Sequence, residues 1–381
     1  MRRILNLIFG FALLLLTALP VNTARAQDAL PPEPDSGAVV CQPDAYLIEP
    51  DDCLPLGPSV YLTDLARMGM TIPQRPLPAS KPDLSLTQLP FHYFHLGDAT
   101  VPVYSAPGDT GSGAMAFPPG FVYVSYTDRA DTGHGIYYLL QNGGWIPGKG
   151  ERVGEIPSFQ GLTFQRTPRN SFGWVAFQSP VMSAPGYNAS KTGEQVYTQQ
   201  LVQIYDTQTA DDMEWYLIGP GQWVEGRNIA RVTPNPTPPE GVTNGRWIDA
   251  DLEKQTLAVY DNYQLVFATM VATGQEPFWT RPGLFQIQQK KETETMRNSD
   301  PSDFYYLDNV PWTMYFDGAR ALHGAYWRTH FGFPQSHGCV NLSVGDAHWL
   351  FNWAVVGDWV YVHDPSGQTP TDPALYTGGA Y

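Results

Sequence analysis

The sequence predicts a mainly β protein that contains two small antiparallel β-barrels. Its composition favours short strands and turns over long helices, because 15% of the residues are charged while the chain holds 36 Gly, 35 Pro, 21 Tyr and 11 Trp. Two blocks of sequence also occur twice at one spacing, and each copy alternates apolar residues between Gly, Pro and Asp turns. The repeat and the alternation together predict the two barrels.

The first 26 residues have the pattern of a secretory signal peptide. Arg2 and Arg3 precede an apolar run from Ile4 to about Leu19, and the small residues of a cleavage site follow in "TARAQ". A membrane anchor is the alternative, but the run is shorter than the roughly 20 apolar residues that a span prefers. We expect cleavage after residue 26 and therefore an exported protein of the cell wall, periplasm or extracellular space, with no membrane span after cleavage.

Residues 27–90 form a Pro- and Asp-rich segment, with a predicted short helix at residues 61–70 and an extended linker after it. Cys41 and Cys53 lie in this segment, 12 positions apart (53 − 41), and an exported protein favours a disulfide between them. Cys339 is then left as a free thiol. It is either a buried small hydrophobic residue or a reactive group.

The internal repeat occupies residues 91–157 and 169–232. "PVYSAPGD" at 102–109 recurs as "PVMSAPGY" at 180–187, and "IYYLLQNGGWIPG" at 136–148 recurs as "EWYLIGPGQWVEG" at 214–226, both offset by 78 (180 − 102 and 214 − 136). Each copy suits an antiparallel barrel of about five strands. The copies resemble bacterial SH3-like barrels, which in exported proteins often hold cell-wall polymers.

A Pro-rich linker at 233–241 precedes a third region at 242–365, and an irregular tail follows at 366–381. The third region begins with alternating apolar residues that predict three strands, at Trp247–Leu252, Thr256–Tyr260 and Leu265–Val271. Ser343 and Asp346 predict a capping box that opens a helix, which Gly357 is expected to stop before a strand at "DWVYVH".

The charge balance argues against two classes of partner. The formal net charge is −15, and loss of Arg2, Arg3 and Arg25 with the signal peptide would make it −18 (−15 − 3). Nucleic acids and anionic lipids both need a basic surface, so neither is an expected partner. The oligomeric state is not predicted.

Five of the eight histidines lie in the last 60 residues, close in sequence to the leftover cysteine: His323, His330, His337, His348 and His363. A metal site of His323, His330, His337 and Cys339 is one hypothesis, but these residues lack the close ligand pairs of structural zinc sites, so we expect no metal. Nucleophilic catalysis explains more, because a reactive thiol needs a nearby base and backbone N–H donors. His323 is the better base, and Gly338 would allow the tight turn that directs the Cys339 amide.

These residues carry a family resemblance. "ALHGAYW" at 321–327 and "SHGCVN" at 336–341, with 16 positions from His323 to Cys339 (339 − 323), resemble the signature of the L,D-transpeptidase (YkuD) catalytic domain. "TRPGLFQI" at 280–287 is similar to a strand-turn of the same domain, although Arg281 interrupts the usual Thr-Pro pair, a departure expected to leave the active site untouched. The resemblance covers about residues 245 to 363.

The resemblance implies a role for each matching residue. Cys339 would be the nucleophile and His323 the proton donor and acceptor, oriented by the carbonyl of Gly324. The remaining substrate, oxyanion and orienting positions would be Ser336, His337, Gly338 and Asn341. It further implies a mostly β catalytic fold with short helices, no cofactor or metal, and acylation of the cysteine by carbapenems.

The implied reaction belongs to peptidoglycan biosynthesis and cell wall organisation. The thiolate would attack a tetrapeptide stem, release the terminal D-alanine and pass the acyl group to an amine, which makes a cross-link; stem peptides and wall glycan are the implied partners. An L,D-carboxypeptidase or hydrolase and an inactive wall-binding protein are the alternatives. Papain-like wall peptidases are disfavoured because they place cysteine before histidine, whereas His323 precedes Cys339 here.

Overall fold

The computed structural model describes residues 77–376 except 110, 112, 114, 149–150, 153–155 and 157. The predicted signal peptide, the predicted helix at 61–70 and the predicted Cys41–Cys53 disulfide lie outside the described residues. Within the described part of the chain, no helix is both long enough and apolar enough to cross a bilayer.

Short strands make up most of the region that holds the repeat. The first eight strands are β1 Ala79–Ser80, β2 His92–His95, β3 Val101–Val103, β4 Met115–Phe117, β5 Phe121–Thr132, β6 Gly135–Leu140, β7 Trp145–Pro147 and β8 Glu151–Arg152. The next nine are β9 Leu162–Phe164, β10 Phe172–Val175, β11 Ser179–Met182, β12 Lys191–Val196, β13 Leu201–Gln203, β14 Asp206–Ala210, β15 Met213–Gly219, β16 Gln222–Glu225 and β17 Ile229–Val232.

The third region holds nine more strands and a ten-residue helix. The strands are β18 Trp247–Asp251, β19 Thr256–Asp261, β20 Gln264–Met270, β21 Gly283–Gln286, β22 Gln289–Asn298, β23 Tyr305–Asp317, β24 Arg320–Gly324, β25 Val340–Leu342 and β26 Trp359–His363. The helix is α1 Val344–Trp353. Short 3-10 helices occur at Leu84–Thr87, Gly226–Asn228 and Pro373–Tyr376.

Two large sheets organise the described residues. One has seven strands in the order β1-β9-β20-β19-β18-β26-β21, and the other runs β25-β24-β23-β5-β2-β8 with β22, β6 and β7 branching from it. The core between them is apolar and buried, and it joins Ile248 and Val259 of the first sheet, Met314 and Phe316 of the second, and Leu350 of α1. Burial of these side chains is the main force that holds the two sheets together.

Both large sheets run across the predicted domain boundaries. β5 pairs in parallel with β23, so that Phe121 lies opposite Tyr305, and β9 pairs with β20. Tyr93 of β2 also stacks on Tyr326, with ring centroids 3.5 Å apart. The first repeat region is therefore joined to the third region by backbone hydrogen bonds and by aromatic packing.

The two predicted barrels are not confirmed, because no sheet formed by the described residues is closed. The strands of the second repeat instead divide into a three-stranded sheet, β13-β10-β17, and a five-stranded sheet, β12-β11-β16-β15-β14. The repeat is still visible in the strand positions. Val101 and Gly135 begin β3 and β6, and Ser179 and Met213 begin β11 and β15, each 78 positions later (179 − 101 and 213 − 135).

The three strands predicted at the start of the third region are confirmed as β18, β19 and β20. The predicted helix is confirmed too, with Ser343 as N-cap, whose hydroxyl accepts a hydrogen bond from the Asp346 N–H at 3.3 Å. It runs through Leu350 to Trp353 as expected, with Ala354 as C-cap. Gly357, with φ +97°, turns the chain into β26.

Candidate active site

The segment Ser336–Cys339 forms a tight, hydrogen-bonded turn immediately before β25. The Ser336 hydroxyl donates to the Cys339 carbonyl at 2.6 Å and accepts from the Gly338 N–H at 3.2 Å. Gly338 has φ +110°, a conformation that favours glycine, and its carbonyl accepts from the Thr280 hydroxyl at 2.9 Å. These bonds fix the backbone around the thiol, and the Ser336 hydroxyl stabilises the turn.

His323 lies on the neighbouring strand, directly beside this turn. β24 and β25 pair in parallel, and the register places His323 opposite Asn341, two residues after Cys339. His323 is 2% exposed, and its Nδ1 lies 3.3 Å from the carbonyl oxygen of Gly324. If Nδ1 carries the proton and donates to that oxygen, Nε2 is free to accept a proton.

The thiol and the imidazole line one cavity of about 270 Å³. The described residues that line it come from strands of the second large sheet and from loops. They are Phe121, Gln275, Met296, Tyr305, Leu307, His323, Trp327, Arg328, Gln335, Ser336, His337, Cys339 and Asn341. Five of the seven predicted site residues of this region therefore meet in one place. Gly338 and Gly324 contribute through the backbone, as described above.

His337 lies at the side of the cavity. Its ring is held between Phe278 and Tyr305, with centroid distances of 4.8 and 5.1 Å, and its Nε2 lies 3.0 Å from an Asp303 carboxylate oxygen. Asp303 follows β22 and precedes β23, so the connection of this hairpin reaches the site. His337 is thus positioned by its own partners and is separate from the pairing of β24 with β25.

Burial favours the neutral forms of both the Cys339 thiol and the His323 imidazole. It raises the pKa of the half-buried Cys339 thiol to about 11, and the Ala321 N–H and the charge of Arg320 offset only part of this shift. Burial also lowers the pKa of His323 to about 4; the Gly324 carbonyl opposes that shift, and the charge of Arg328 adds to it. At pH 7 the pair is therefore a thiol beside a neutral imidazole.

The other histidines of the cluster lie elsewhere. His330 is exposed and contacts the Thr329 hydroxyl at 2.8 Å, His348 stacks on Trp312, and His363 pairs with Asp249 at 2.7 Å. Among the described residues, no group of three or more His, Cys, Asp or Glu side chains is arranged to hold a metal ion.

Arg281 is linked to the site indirectly, which differs from the expectation that it leaves the site untouched. Arg281 and Arg320 both pair with the carboxylate of Asp317, the latter at 3.2 Å. Arg320 in turn donates to the Trp279 carbonyl at 3.3 Å, and its charge lowers the pKa of Cys339.

Sequence reasoning missed several lining residues. Trp327 ends the quoted "ALHGAYW" motif and Arg328 directly follows it, and a cation so close to a proposed base was a signal that could have been used. Phe121 gave no local signal, because only the parallel pairing of β5 with the distant β23 brings it to the cavity.

Comparisons with known proteins bear on the third region. A family model described as YkuD, L,D-transpeptidase catalytic domain, matches residues 245–362. No curated protein matches the chain.

Solved structures give distant matches. A mutant L,D-transpeptidase of Enterococcus faecium is 24% identical over 31% of this chain and 49% of its own, with a TM-score of 0.30. An L,D-transpeptidase of Stackebrandtia nassauensis is 28% identical over 33% and 58%, with a TM-score of 0.27. The L,D-transpeptidase LdtMt1 in complex with imipenem is 20% identical over 43% and 90%, with a TM-score of 0.30. The chain thus spans about half the length of the Enterococcus faecium protein, and the family match supports a YkuD L,D-transpeptidase catalytic domain at residues 245–362.

Proposed function

We propose that this protein is an exported peptidoglycan L,D-transpeptidase. The observation that carries the proposal is the presence of Cys339 and His323 in one cavity of the domain that the family model matches, with His323 on β24 and Cys339 in the turn before the paired strand β25. The donor would be a tetrapeptide stem of the wall, and the acceptor a side-chain amine of another stem. Export and wall localisation rest on the sequence pattern of residues 1–26.

The reaction would proceed in two acyl transfers. In the first, the Cys339 sulfur bonds to the carbonyl carbon before the terminal D-alanine, the C–N bond breaks, and the thiol proton passes through His323 to the departing amine. In the second, the acceptor amine attacks the thioester, the S–C bond breaks, and the amine proton returns through His323 to sulfur. The backbone N–H of Cys339 would stabilise the oxyanion in both steps.

The neutral resting pair favours a concerted first step. Since the pKa of the thiol is about 11 and that of the imidazole about 4, full proton transfer before attack is strongly uphill. Sulfur would therefore bond to carbon as the proton moves to His323. A resting thiol would also be poorly reactive toward other electrophiles.

The test is incubation of the protein with purified tetrapeptide stem, followed by product masses. A cross-linked dimer with free D-alanine supports transfer, whereas a tripeptide alone indicates the hydrolase alternative. Cys339→Ala, which removes the sulfur, should abolish both products and also the mass adduct formed with a carbapenem. Formation of neither product by the wild-type protein would contradict the proposal, and an inactive wall-binding protein would then be favoured.

A further inference from the structure

The catalytic cavity has an unusual charge content for so acidic a chain. The formal net charge of the protein is −15, yet no Asp or Glu is among the described residues that line the cavity. Arg328 is the permanently charged residue of that lining. A cation in a cleft without carboxylates attracts an anion rather than a second cation.

The guanidinium of Arg328 is only partly satisfied by the protein. One of its terminal nitrogens donates to the Gln335 carbonyl, but its Nε is buried and has no hydrogen-bond partner. No carboxylate among the described residues pairs with it, whereas Arg246 pairs with Asp358 at 2.9 Å and Arg320 with Asp317 at 3.2 Å. Arg328 therefore differs from these two arginines in lacking a counter-ion.

An unpaired, part-buried cation is unfavourable for folding. Burial lowers the pKa of Arg328 to about 10, which reflects the loss of water around the guanidinium. If Arg328 only donated to the Gln335 carbonyl, it would use one of its five N–H donors. The remaining donors match the two oxygens of a carboxylate, which arginine binds with a planar, bidentate geometry.

We propose that Arg328 binds the free terminal carboxylate of the donor stem, and so limits the reaction to the bond before the last residue. This inference rests on the proposed transpeptidase function. In the donor, a nitrogen and one carbon separate the attacked carbonyl carbon from this carboxylate, so both must lie in the cavity that Arg328 and Cys339 share. Asn341 offers a second contact, because its side-chain oxygen is buried without a donor and suits an N–H of the same peptide.

Occupation of Arg328 by an anion would also act on His323. The arginine charge lowers the pKa of His323 in the ligand-free site, and a bound carboxylate would cancel much of that effect. The imidazole would then accept the thiol proton more readily when the correct substrate is present. Binding of the substrate carboxylate to Arg328 would therefore raise the pKa of His323 and assist proton transfer.

The experiment compares two donors that differ at a single group, the stem tetrapeptide with a free terminal carboxylate and the same peptide as its terminal amide. We expect wild-type kcat/KM to be about 10- to 150-fold higher for the acid, the range of a charged hydrogen bond. Arg328→Gln should lose this preference, because the acid and the amide then both lack the guanidinium partner. Arg328→Lys, which keeps the charge without the planar fork, should retain part of the preference.

Arg297→Gln is the matched control, because it removes the same charge from an exposed position on β22 outside the cavity. It should keep the wild-type preference. Equal turnover of the two donors by the wild-type protein would overturn the inference without any variant, and so would an Arg328→Gln effect of equal size on both donors. Turnover of neither donor by wild type is a separate result, since it refutes the proposed function itself and the inference with it.

Discussion

Cys339 shows how strongly one side chain depends on its surroundings. A thiol in water has a pKa of about 8.5, whereas burial in the cavity raises that of Cys339 to about 11. Arg320 and the Ala321 N–H favour the thiolate but do not outweigh burial. The Cys339 thiol is therefore held in the protonated, less oxidisable form.

The pH dependence of alkylation tests this state. We expect the rate at which iodoacetamide modifies Cys339 to keep rising from pH 8 to about pH 10, because the thiolate fraction of the folded protein is still small there. Peptide mapping of the alkylated protein isolates Cys339 from the other two cysteines, and N-acetylcysteine is the reference thiol. A rate that levels off by about pH 8.5 would show that the thiol ionises like a free cysteine.

His323 should matter mainly as a proton carrier to the leaving amine. His323→Ala is expected to lower turnover of the stem peptide by about 10²–10⁴, the usual contribution of general acid–base catalysis. The alkylation profile of Cys339 should change little, because His323 is not among the groups that set the pKa of the thiol. Acylation by a strained β-lactam should lose less than peptide turnover, since its leaving group needs less help from an acid.

His330→Ala is the matched control for this variant, because His330 is exposed and does not line the cavity. It should retain turnover within about twofold of wild type. Recovery of the His323→Ala variant to within tenfold of wild type at alkaline pH would show instead that His323 only deprotonates the thiol.

The N-terminus of α1 connects the helix to another part of the chain. The Asp346 side chain was expected to complete a capping box, but its carboxylate accepts from the Gly161 N–H at 2.9 Å and from the Thr269 hydroxyl at 2.6 Å. Gly161 is required there, because a Cβ atom would lie 2.3 Å from the Ala268 carbonyl oxygen. Asp346 therefore fixes the segment before β9 against α1 and β20.

Replacement of Asp346 should reveal this link as a loss of stability. Asp346→Ala leaves the buried Gly161 N–H without an acceptor and the Thr269 hydroxyl with only the Met270 carbonyl, so the free energy of unfolding should fall by about 1–3 kcal/mol. Asp346→Asn keeps an acceptor for Gly161 and should lose less. Urea unfolding followed by tryptophan fluorescence measures both. Equal stability of Asp346→Ala and wild type would contradict the assigned contacts.

The stability of wild type and of Asp346→Asn should depend on pH in different ways. Burial raises the pKa of Asp346 to about 6. The contribution of this carboxyl to the free energy of unfolding is therefore full below about pH 4, and it is lost as the pH rises through 6. The side-chain amide of the Asp346→Asn variant does not ionise over this range. The stability of Asp346→Asn relative to wild type should therefore improve between pH 4 and pH 7.

At the scale of the molecule, the repeat regions and the catalytic region share sheets and cores. Phe172 and Trp174 of β10 pack in one cluster with Trp247 and Tyr260 of the catalytic sheet, and Asn235 of the predicted linker donates its N–H to the Tyr260 hydroxyl at 2.9 Å. Phe121 of β5 lines the catalytic cavity. Removal of the repeats would expose apolar surface and open the site.

Deletion of residues 91–232 should consequently abolish turnover of a soluble stem peptide and lower soluble yield. The milder change Phe121→Ala should keep the fold, because this side chain is 42% exposed, and should lower kcat/KM severalfold by widening the cavity. Peptide turnover and thermal unfolding measure the two effects. A deletion variant with wild-type turnover would show that the repeats are spacers.

The sequence predicted the local features well, because they depend on neighbours in the chain. The strands from Trp247 onward follow from alternation, α1 follows from the Ser343 cap, and the meeting of Cys339 and His323 in one cavity follows from a short motif. Arg328 could have been noticed beside that motif. The parallel contact of β5 with β23 could not, since strand partners 184 positions apart (305 − 121) leave no periodic signal.

The contact of β5 with β23 also affects how the chain folds as it is synthesised. Closing a loop of this length carries an entropic penalty that shorter connections avoid, and domains with many distant contacts fold slowly. When the chain emerges N-terminus first, β5 can pair early with β2 and β6 but must wait for β23. The pocket around Cys339 is therefore among the last of the described parts that can assemble.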